Sequence, residues 1–270
     1  MNDPHVDSLT YRLEVPVTGS ASVSFDRAPP ADFDTPVGRV HVGNQVAHVT
    51  PAEHFRTDEE ARTATEPFLR AWELSSALAL GRPAMRFVFD GATVIDRDPT
   101  PGQGEARLVG VAHMTADASL LVQPAAYPAP PADFEVSPLV EAMWLQYQGH
   151  LEGRERLTAM AYLCLTLLED DAGGGHKKTA AKFGIHPGVL DYLGYLVSVV
   201  GDVRTARKWK GLREKRPHTG EEEEWIRRVV SAIIRRAGEV AANPSAGRTV
   251  LTMSDLPRLS NYPRQRTPKT

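Results

Sequence analysis

Cysteine and long apolar runs are both scarce in this chain of 270 residues. The single cysteine, Cys164, has no partner for an internal disulfide, which fits a reducing compartment. No run approaches the roughly 20 apolar residues that span a bilayer. The first residues also lack the basic and apolar regions of a signal peptide. These absences predict a soluble, cytoplasmic protein with no membrane partner.

Lysine is scarce as well, and its distribution is uneven. Only seven of the 31 basic residues are lysines, a ratio typical of GC-rich bacterial genomes, and six of the seven lie between Lys177 and Lys215. The net charge of -3 is the sum of an acidic N-terminal part and a basic C-terminal part. Residues 1–170 contain 24 acidic and 12 basic residues, whereas residues 171–270 contain 10 acidic and 19 basic residues. The C-terminal third is therefore predicted to meet an anion, either a phosphate backbone or the chain's own acidic half.

Short runs of alternating polarity dominate the first 123 residues, and such alternation is typical of half-buried strands. It predicts strands or hairpins at 10–17, 37–50, 85–95 and 106–122, with turns at Gly43–Asn44 and Asp90–Gly91. A capping box from Thr57 to Glu60 predicts one helix that ends at Gly81. Residues 1–123 are therefore predicted to form an acidic, mostly antiparallel sheet domain with one packed helix.

A proline-rich stretch follows and predicts a semi-rigid linker at 124–137. Beyond it the apolar period becomes helical, and residues 157–168 are apolar on nearly every side, as in the central helix of a bundle. We expect a basic helical bundle at 138–245 and a flexible basic tail at 246–270. The fold class predicted for the whole chain is α+β.

Two further helix starts can be read inside the predicted bundle. Ser137 and Pro138 have the types that cap and open a helix. A second capping box, from Thr219 to Glu222, opens the last long helix. Cys164 lies in the apolar helix with no basic neighbour in sequence, so we expect a small core residue rather than a nucleophile.

The strongest functional signal is a basic segment, defined as residues 204–216, in which cations surround one aromatic residue. The candidate nucleic-acid-binding residues are Arg204, Arg207, Lys208, Trp209, Lys210, Arg213, Lys215 and Arg216. Cations displace counterions from phosphates, and an aromatic ring stacks on a base. Alternatively, these cations cap helix carbonyls or face the acidic N-terminal domain, with Trp209 in the core.

Residues 176–195 have the spacing of a helix-turn-helix, with Gly184 at the turn. A second helix from Pro187 would present Val189, Asp191, Tyr192 and Tyr195 to a groove, without an Arg, Lys, Asn or Gln to contact base edges. The pattern therefore favours two packed helices of a bundle.

The spacing of Arg213 and His218 is an Arg-x4-His pattern. It resembles the RNA-cleaving motif of HEPN helical domains, which are metal-independent endoribonucleases. The resemblance implies that Arg213 and His218 would stabilise and protonate a reacting phosphodiester. Pro217 and Glu214 depart from that pattern, because proline breaks a helix and the family has a small polar residue after the arginine.

No metal or cofactor is expected. His41 and His48 share a face of one predicted hairpin but lack a third ligand at a recognisable spacing. We interpret the chain as a non-enzymatic accessory or regulatory protein that binds RNA or DNA nonspecifically through residues 177–216. The alternatives are a HEPN-like ribonuclease and a scaffold or homo-oligomer in which acidic and basic halves pair.

Overall fold

The computed structural model of the chain describes residues 2–15, 21–25, 27–100, 106–110, 120–122, 125–202 and 214–260. The chain divides into two compact units, residues 1–136 and residues 137–270. The first is built on a mostly antiparallel sheet with one packed helix, and the second is a bundle of helices. The predicted α+β class is therefore confirmed.

The N-terminal unit is organised around its first strand. The strands are β1 (Pro4–Glu14), β2 (Ala21–Val23), β3 (Ala31–Thr35), β4 (Gly38–Gly43), β5 (Val46–Pro51), β6 (Arg86–Asp96), β7 (Ala106–Gly110) and β8 (Leu120–Val122). Six of them form an antiparallel sheet in the order β3-β4-β5-β1-β6-β7, while β2 and β8 pair in parallel. Alternate residues of β1, among them Leu9, Tyr11 and Leu13, are buried in the core.

One of the two predicted hairpins forms, with its turn one residue later than the predicted Gly43–Asn44, and the other hairpin does not form. The β4–β5 hairpin turns at Asn44 and Gln45, both with positive φ. The Asp90–Gly91 pair does not turn, because β6 continues through it and pairs with β1 on both sides. The register shifts there, with Gly91 opposite Thr10 and Phe89 opposite Tyr11, so that Asp90 is the extra residue of a bulge. The Asp90–Gly91 pair suits a bulge as well as a tight turn, and the pairing of β6 with β1 determines that a bulge forms.

Helix α1 (Asp58–Leu80) packs on the sheet through a fully buried tryptophan. The Thr57 capping box forms as predicted, and Pro67 lies inside the helix without ending it. The ring of Trp72 contacts Phe33 and Phe87 at centroid distances of 5.1 and 5.3 Å. The Trp72 side chain is fully buried and adds a large apolar surface to this core.

A buried carboxylate ties α1 to the sheet. Glu73 accepts a hydrogen bond from the Phe87 amide at 2.7 Å and one from the Arg70 guanidinium at 2.8 Å. Burial raises the pKa of Glu73 above its ordinary value. The contact fixes the start of β6 against the helix.

The start of the predicted linker is part of the N-terminal core. Tyr127 is buried and stacks on Phe25 with ring centroids 5.0 Å apart. The carbonyl of Pro128 accepts a hydrogen bond from the Trp72 indole at 3.0 Å. The connection between the two units is therefore shorter than the proline-rich composition suggests.

The C-terminal unit contains helices α2 (Pro138–Leu151), α3 (Leu157–Asp171), α4 (His176–Phe183), α5 (Pro187–Ser198) and α6 (Gly220–Ala242). The predicted caps form at Ser137 and Thr219. Helix α3 contacts the other four and is the central helix, as expected. Cys164 in α3 is fully buried, and burial raises the pKa of its thiol to about 12. A thiol of that pKa is not a nucleophile near neutral pH.

Residues 246–260, predicted as the start of a flexible tail, are tied to the bundle. The backbone of Leu251 bonds Gly184 and His186 at 2.9 and 2.8 Å. The amide and hydroxyl of Ser260 donate to the carboxylate of Glu221 at 2.9 and 2.8 Å. Because backbone polar groups of this segment bond specific partners, the expectation of a loose tail is wrong over these residues.

Within the parts of the chain that the structure describes, no helix has the length and apolar character needed to cross a membrane.

Candidate functional site

Most of the basic segment lies outside the described residues. These are Arg204, Arg207, Lys208, Trp209, Lys210 and Arg213. Glu214, Lys215 and Arg216 of the segment are described, as are the residues up to Asp202 before it and those from Pro217 to Ser260 after it. The contacts of these residues define where the segment leaves and rejoins the bundle.

Glu214, near the end of the basic segment, meets the chain that precedes the segment just beyond the end of α5. The amide of Gly201 donates to the Glu214 carbonyl at 3.1 Å, and the amide of Glu214 donates to the Val199 carbonyl at 3.0 Å. The hydroxyl of Tyr195 also donates to the Glu214 carboxylate. The residues between Gly201 and Glu214 therefore start and end at one place on the helical unit.

Arg216 forms a bidentate ion pair with Glu222 at the start of α6. Its two terminal nitrogens each donate to one oxygen of Glu222, both at 2.7 Å, and the Glu222 side chain is almost completely buried. The hydrogen bonds from Arg216 lower the pKa of Glu222, outweighing the opposite effect of burial. Arg216 was predicted to contact nucleic acid, but its guanidinium already stabilises the start of α6.

The carboxylates of the C-terminal third are already engaged. All ten acidic residues of 171–270 lie in described positions, and each has an interaction partner. Their cationic partners are Lys182, Arg216, Arg227, Arg228 and Arg236. The cations of this third that lie outside the described residues are Arg204, Arg207, Lys208, Lys210, Arg213, Arg264, Arg266 and Lys269. The positive excess of the C-terminal third is thus concentrated in those eight residues.

Helices α4 and α5 form a helix-turn-helix in shape. The turn is made by Gly184, whose φ of 61° is left-handed. Two of the residues that a recognition helix would present, Val189 and Tyr192, are buried. A third, Asp191, bonds Nδ1 of His176 at 2.5 Å, and the hydroxyl of the fourth, Tyr195, donates to the Glu214 carboxylate. All four side chains are therefore buried or engaged within the bundle.

His218 is buried at the entrance of α6, with 9% of its surface exposed. Its Nε2 lies 3.0 Å from the carbonyl oxygen of Leu196. A carbonyl only accepts hydrogen bonds, so Nε2 carries the proton and Nδ1 is the unprotonated nitrogen of the neutral ring. His218 thus packs just before the Thr219 cap, and the Leu196 carbonyl orients its ring. Arg213, its predicted catalytic partner, lies outside the described residues.

A cavity of about 260 Å³ adjoins His218. Its other walls come from the end of α2, the α2–α3 connection and the start of α3, and they include His150, Glu155, Arg156 and Leu157. Nδ1 of His150 lies 3.2 Å from the carbonyl oxygen of Glu155, so this ring too is fixed by a backbone acceptor. Burial lowers the pKa of His150. Two oriented imidazoles therefore line one small cavity.

No grouping of three or more metal-ligating side chains occurs among the described residues. His41 and His48 face each other across the β4–β5 pair, and both are exposed.

No family model matches the chain, and the comparisons with curated proteins and with solved structures found no match. Function must therefore be argued from the chemistry of the sites.

Proposed function

We propose that the helical unit binds RNA or DNA without sequence preference, through the basic segment, and acts as an accessory or regulatory component without catalysis of its own. The observation that carries this proposal is the charge excess of residues 171–270, in which 19 basic residues stand against 10 acidic ones. Nine positive charges would therefore remain in this third of the chain even if each of its carboxylates were paired with a cation. A phosphate backbone is the partner that best matches such an excess of positive charge.

The position of the segment supports the same proposal. The backbone of Glu214, near the end of the segment, bonds Val199 and Gly201, which precede the segment. Five cations and Trp209 lie in sequence between Gly201 and Glu214, so they belong to one stretch whose two ends meet. Arg216 contributes indirectly in this proposal, by holding the α6 entrance through Glu222. Trp209 would stack on an unpaired base, so single strands should bind more tightly than duplexes.

The test is the salt dependence of nucleic-acid affinity in the full chain. Affinity should fall steeply between about 50 mM and about 200 mM salt, because counterions are released on binding. The double substitution Lys208→Glu with Lys210→Glu should weaken binding to all sequences alike and make the salt slope shallower by about two. Fluorescence anisotropy with labelled single strands and duplexes measures both quantities.

A matched control removes the same charge elsewhere. Arg82→Glu with Arg258→Glu changes two exposed cations outside the segment and should leave the affinity nearly unchanged. Equal effects of the two double variants would show a general charge effect and overturn the proposal. Salt-sensitive self-association without nucleic-acid binding would favour the scaffold alternative. RNA cleavage in the presence of a chelator, lost in both Arg213→Ala and His218→Ala, would favour the ribonuclease alternative.

A further inference from the structure

We propose that the cavity beside His218 binds an uncharged heteroaromatic ring that carries an exocyclic amino group, such as the base of adenosine or cytidine. This inference does not rest on nucleic-acid binding by the basic segment, because a free nucleoside without phosphate can occupy the cavity.

The size of the cavity limits the ligand. Its volume of about 260 Å³ lies just under the range of about 300 to 1,000 Å³ that accommodates drug-sized molecules. The site therefore has room for one ring system and not for a chain of nucleotides. Leu157 supplies apolar wall, and Gly153 adds a stretch of backbone without a side chain. Such walls favour a flat, largely apolar ligand body.

Two histidines contribute uncharged hydrogen-bonding groups to the cavity. Leu196 holds the proton of His218 on Nε2, and Glu155 holds the proton of His150 on Nδ1. The opposite nitrogens, Nδ1 of His218 and Nε2 of His150, are lone-pair acceptors. Among the described residues, no hydrogen bond reaches either of these two atoms. A ligand that displaces water from them must supply N–H or O–H donors, since an acceptor left unpaired costs about 1–3 kcal/mol.

Charge on the cavity wall is balanced. Glu223 lines the cavity but is paired with Arg227 at 3.2 Å. The remaining charges, on Glu155 and Arg156, are adjacent in sequence and opposite in sign. This balance favours an uncharged ligand over an ion. An exocyclic amino group is uncharged and carries N–H donors, so it can donate to an imidazole acceptor of the cavity.

The local backbone keeps His150 in the required state. The amides of Arg154 and Glu155 both donate to the Gly149 carbonyl, at 2.8 and 3.0 Å, and so fold the connection back over the end of α2. A Cβ at Gly149 would lie 3.0 Å from Cγ of Glu155, so glycine permits this close approach. Burial lowers the pKa of His150, which keeps its ring neutral and its Nε2 an acceptor near neutral pH.

The test uses the full chain and nucleosides that differ in the amino group. Isothermal titration calorimetry compares adenosine with inosine and cytidine with uridine. The amino-bearing member of each pair should bind about tenfold more tightly, the effect of roughly one hydrogen bond.

Two variants replace the ring nitrogen that accepts in the cavity while keeping the buried bonds, because the amide oxygen of the new side chain lies at a different position from that nitrogen. His218→Gln retains an N–H for the Leu196 carbonyl, and His150→Asn retains an N–H for the Glu155 carbonyl. Each should weaken adenosine or cytidine binding about tenfold. His48→Gln, which changes an exposed histidine of the sheet unit, is the control and should bind like the unmodified protein. If His218→Gln does not fold, the half-buried His150→Asn decides.

Oligonucleotides identify the source of the ring. Oligodeoxyadenylate that binds no more tightly than adenosine indicates a free nucleoside. Tighter binding that is lost in the Lys208→Glu, Lys210→Glu variant indicates a base within a strand. Equal binding within both nucleoside pairs, or no nucleoside binding at all, overturns the inference. A failure of polynucleotide binding alone leaves it standing, because nucleosides carry no phosphate for the basic segment.

Discussion

Nδ1 of His5 lies 2.9 Å from Nδ1 of His54, and the two rings are nearly parallel. The other nitrogen of His5, Nε2, lies 2.7 Å from the guanidinium of Arg97. Arginine can only donate, so His5 accepts at Nε2 and carries its proton on Nδ1. His5 then donates to His54, which must carry its own proton on Nε2, the atom 3.7 Å from the Asp3 carboxylate. One arginine thus sets the proton positions of two histidines.

These hydrogen bonds from Arg97 to His5 and from His5 to His54 predict that the protein becomes less stable as the pH falls below the ordinary pKa of histidine. The pKa of His5 is lowered, first by burial and then by Arg97 and His54. The folded chain therefore binds fewer protons than the unfolded chain between that lowered pKa and about 6.5. The free energy of unfolding should fall as pH drops through this window, and the buried His150 adds an effect of the same sign.

Urea unfolding at about pH 7.5 and about pH 5.5 measures this dependence. His5→Gln cannot titrate, so the difference between the two pH values should be smaller in this variant. His41→Gln, an exposed histidine on β4, should retain the full difference. If the free energy of unfolding of His5→Gln differs between the two pH values as much as that of the unmodified protein, His5 does not couple folding to pH.

Arg216→Ala should destabilise the helical unit. The substitution leaves the buried carboxylate of Glu222 without its principal partner, and we expect a loss of about 1–3 kcal/mol in the free energy of unfolding. Because the Arg216 side chain is 37% exposed, the loss should fall short of that for a fully buried pair. Thermal unfolding followed by circular dichroism measures it. Arg258→Ala, at an exposed position, is the control, and equal stability of the two variants would contradict the assigned role.

Truncation after residue 245 should destabilise the bundle, although the sequence pattern alone suggests that 138–245 is sufficient. The cut removes the Leu251 backbone bonds to Gly184 and His186 and the bonds from Ser260 to Glu221. It also buries less apolar surface, because Leu256 is lost from the core. We expect a lower melting temperature for residues 1–245 than for residues 1–260. Equal melting temperatures would mean that these bonds do not contribute to stability.

Local chemistry explains which features the sequence could predict. Thr57 and Thr219 cap their helices through residues three positions away, so the pattern is complete within a few letters. Asp90 could not be assigned in this way, since its bulge depends on pairing with β1 far along the chain. The fold class and the caps were therefore accessible, and the register of β6 was not.

The cavity lined by His150 and His218 could not be predicted from the sequence, for a related reason. His150 and His218 lie far apart in the sequence, and no motif connects them. The groups that orient their rings are the backbone carbonyls of Leu196 and Glu155, whose presence does not depend on side-chain type. A sequence pattern carries no signal for such partners, so only the folded backbone identifies this pair.

The indole of Trp72 has its acceptor at Pro128, and β2 finds its parallel partner only in β8. During translation both partners emerge late, after every other strand and α1 have left the ribosome. Until then the edge of β2 lacks its partner strand and the Trp72 indole lacks its acceptor in the folded unit. The last contacts of the sheet unit therefore form only after residues 120–128 have been synthesised.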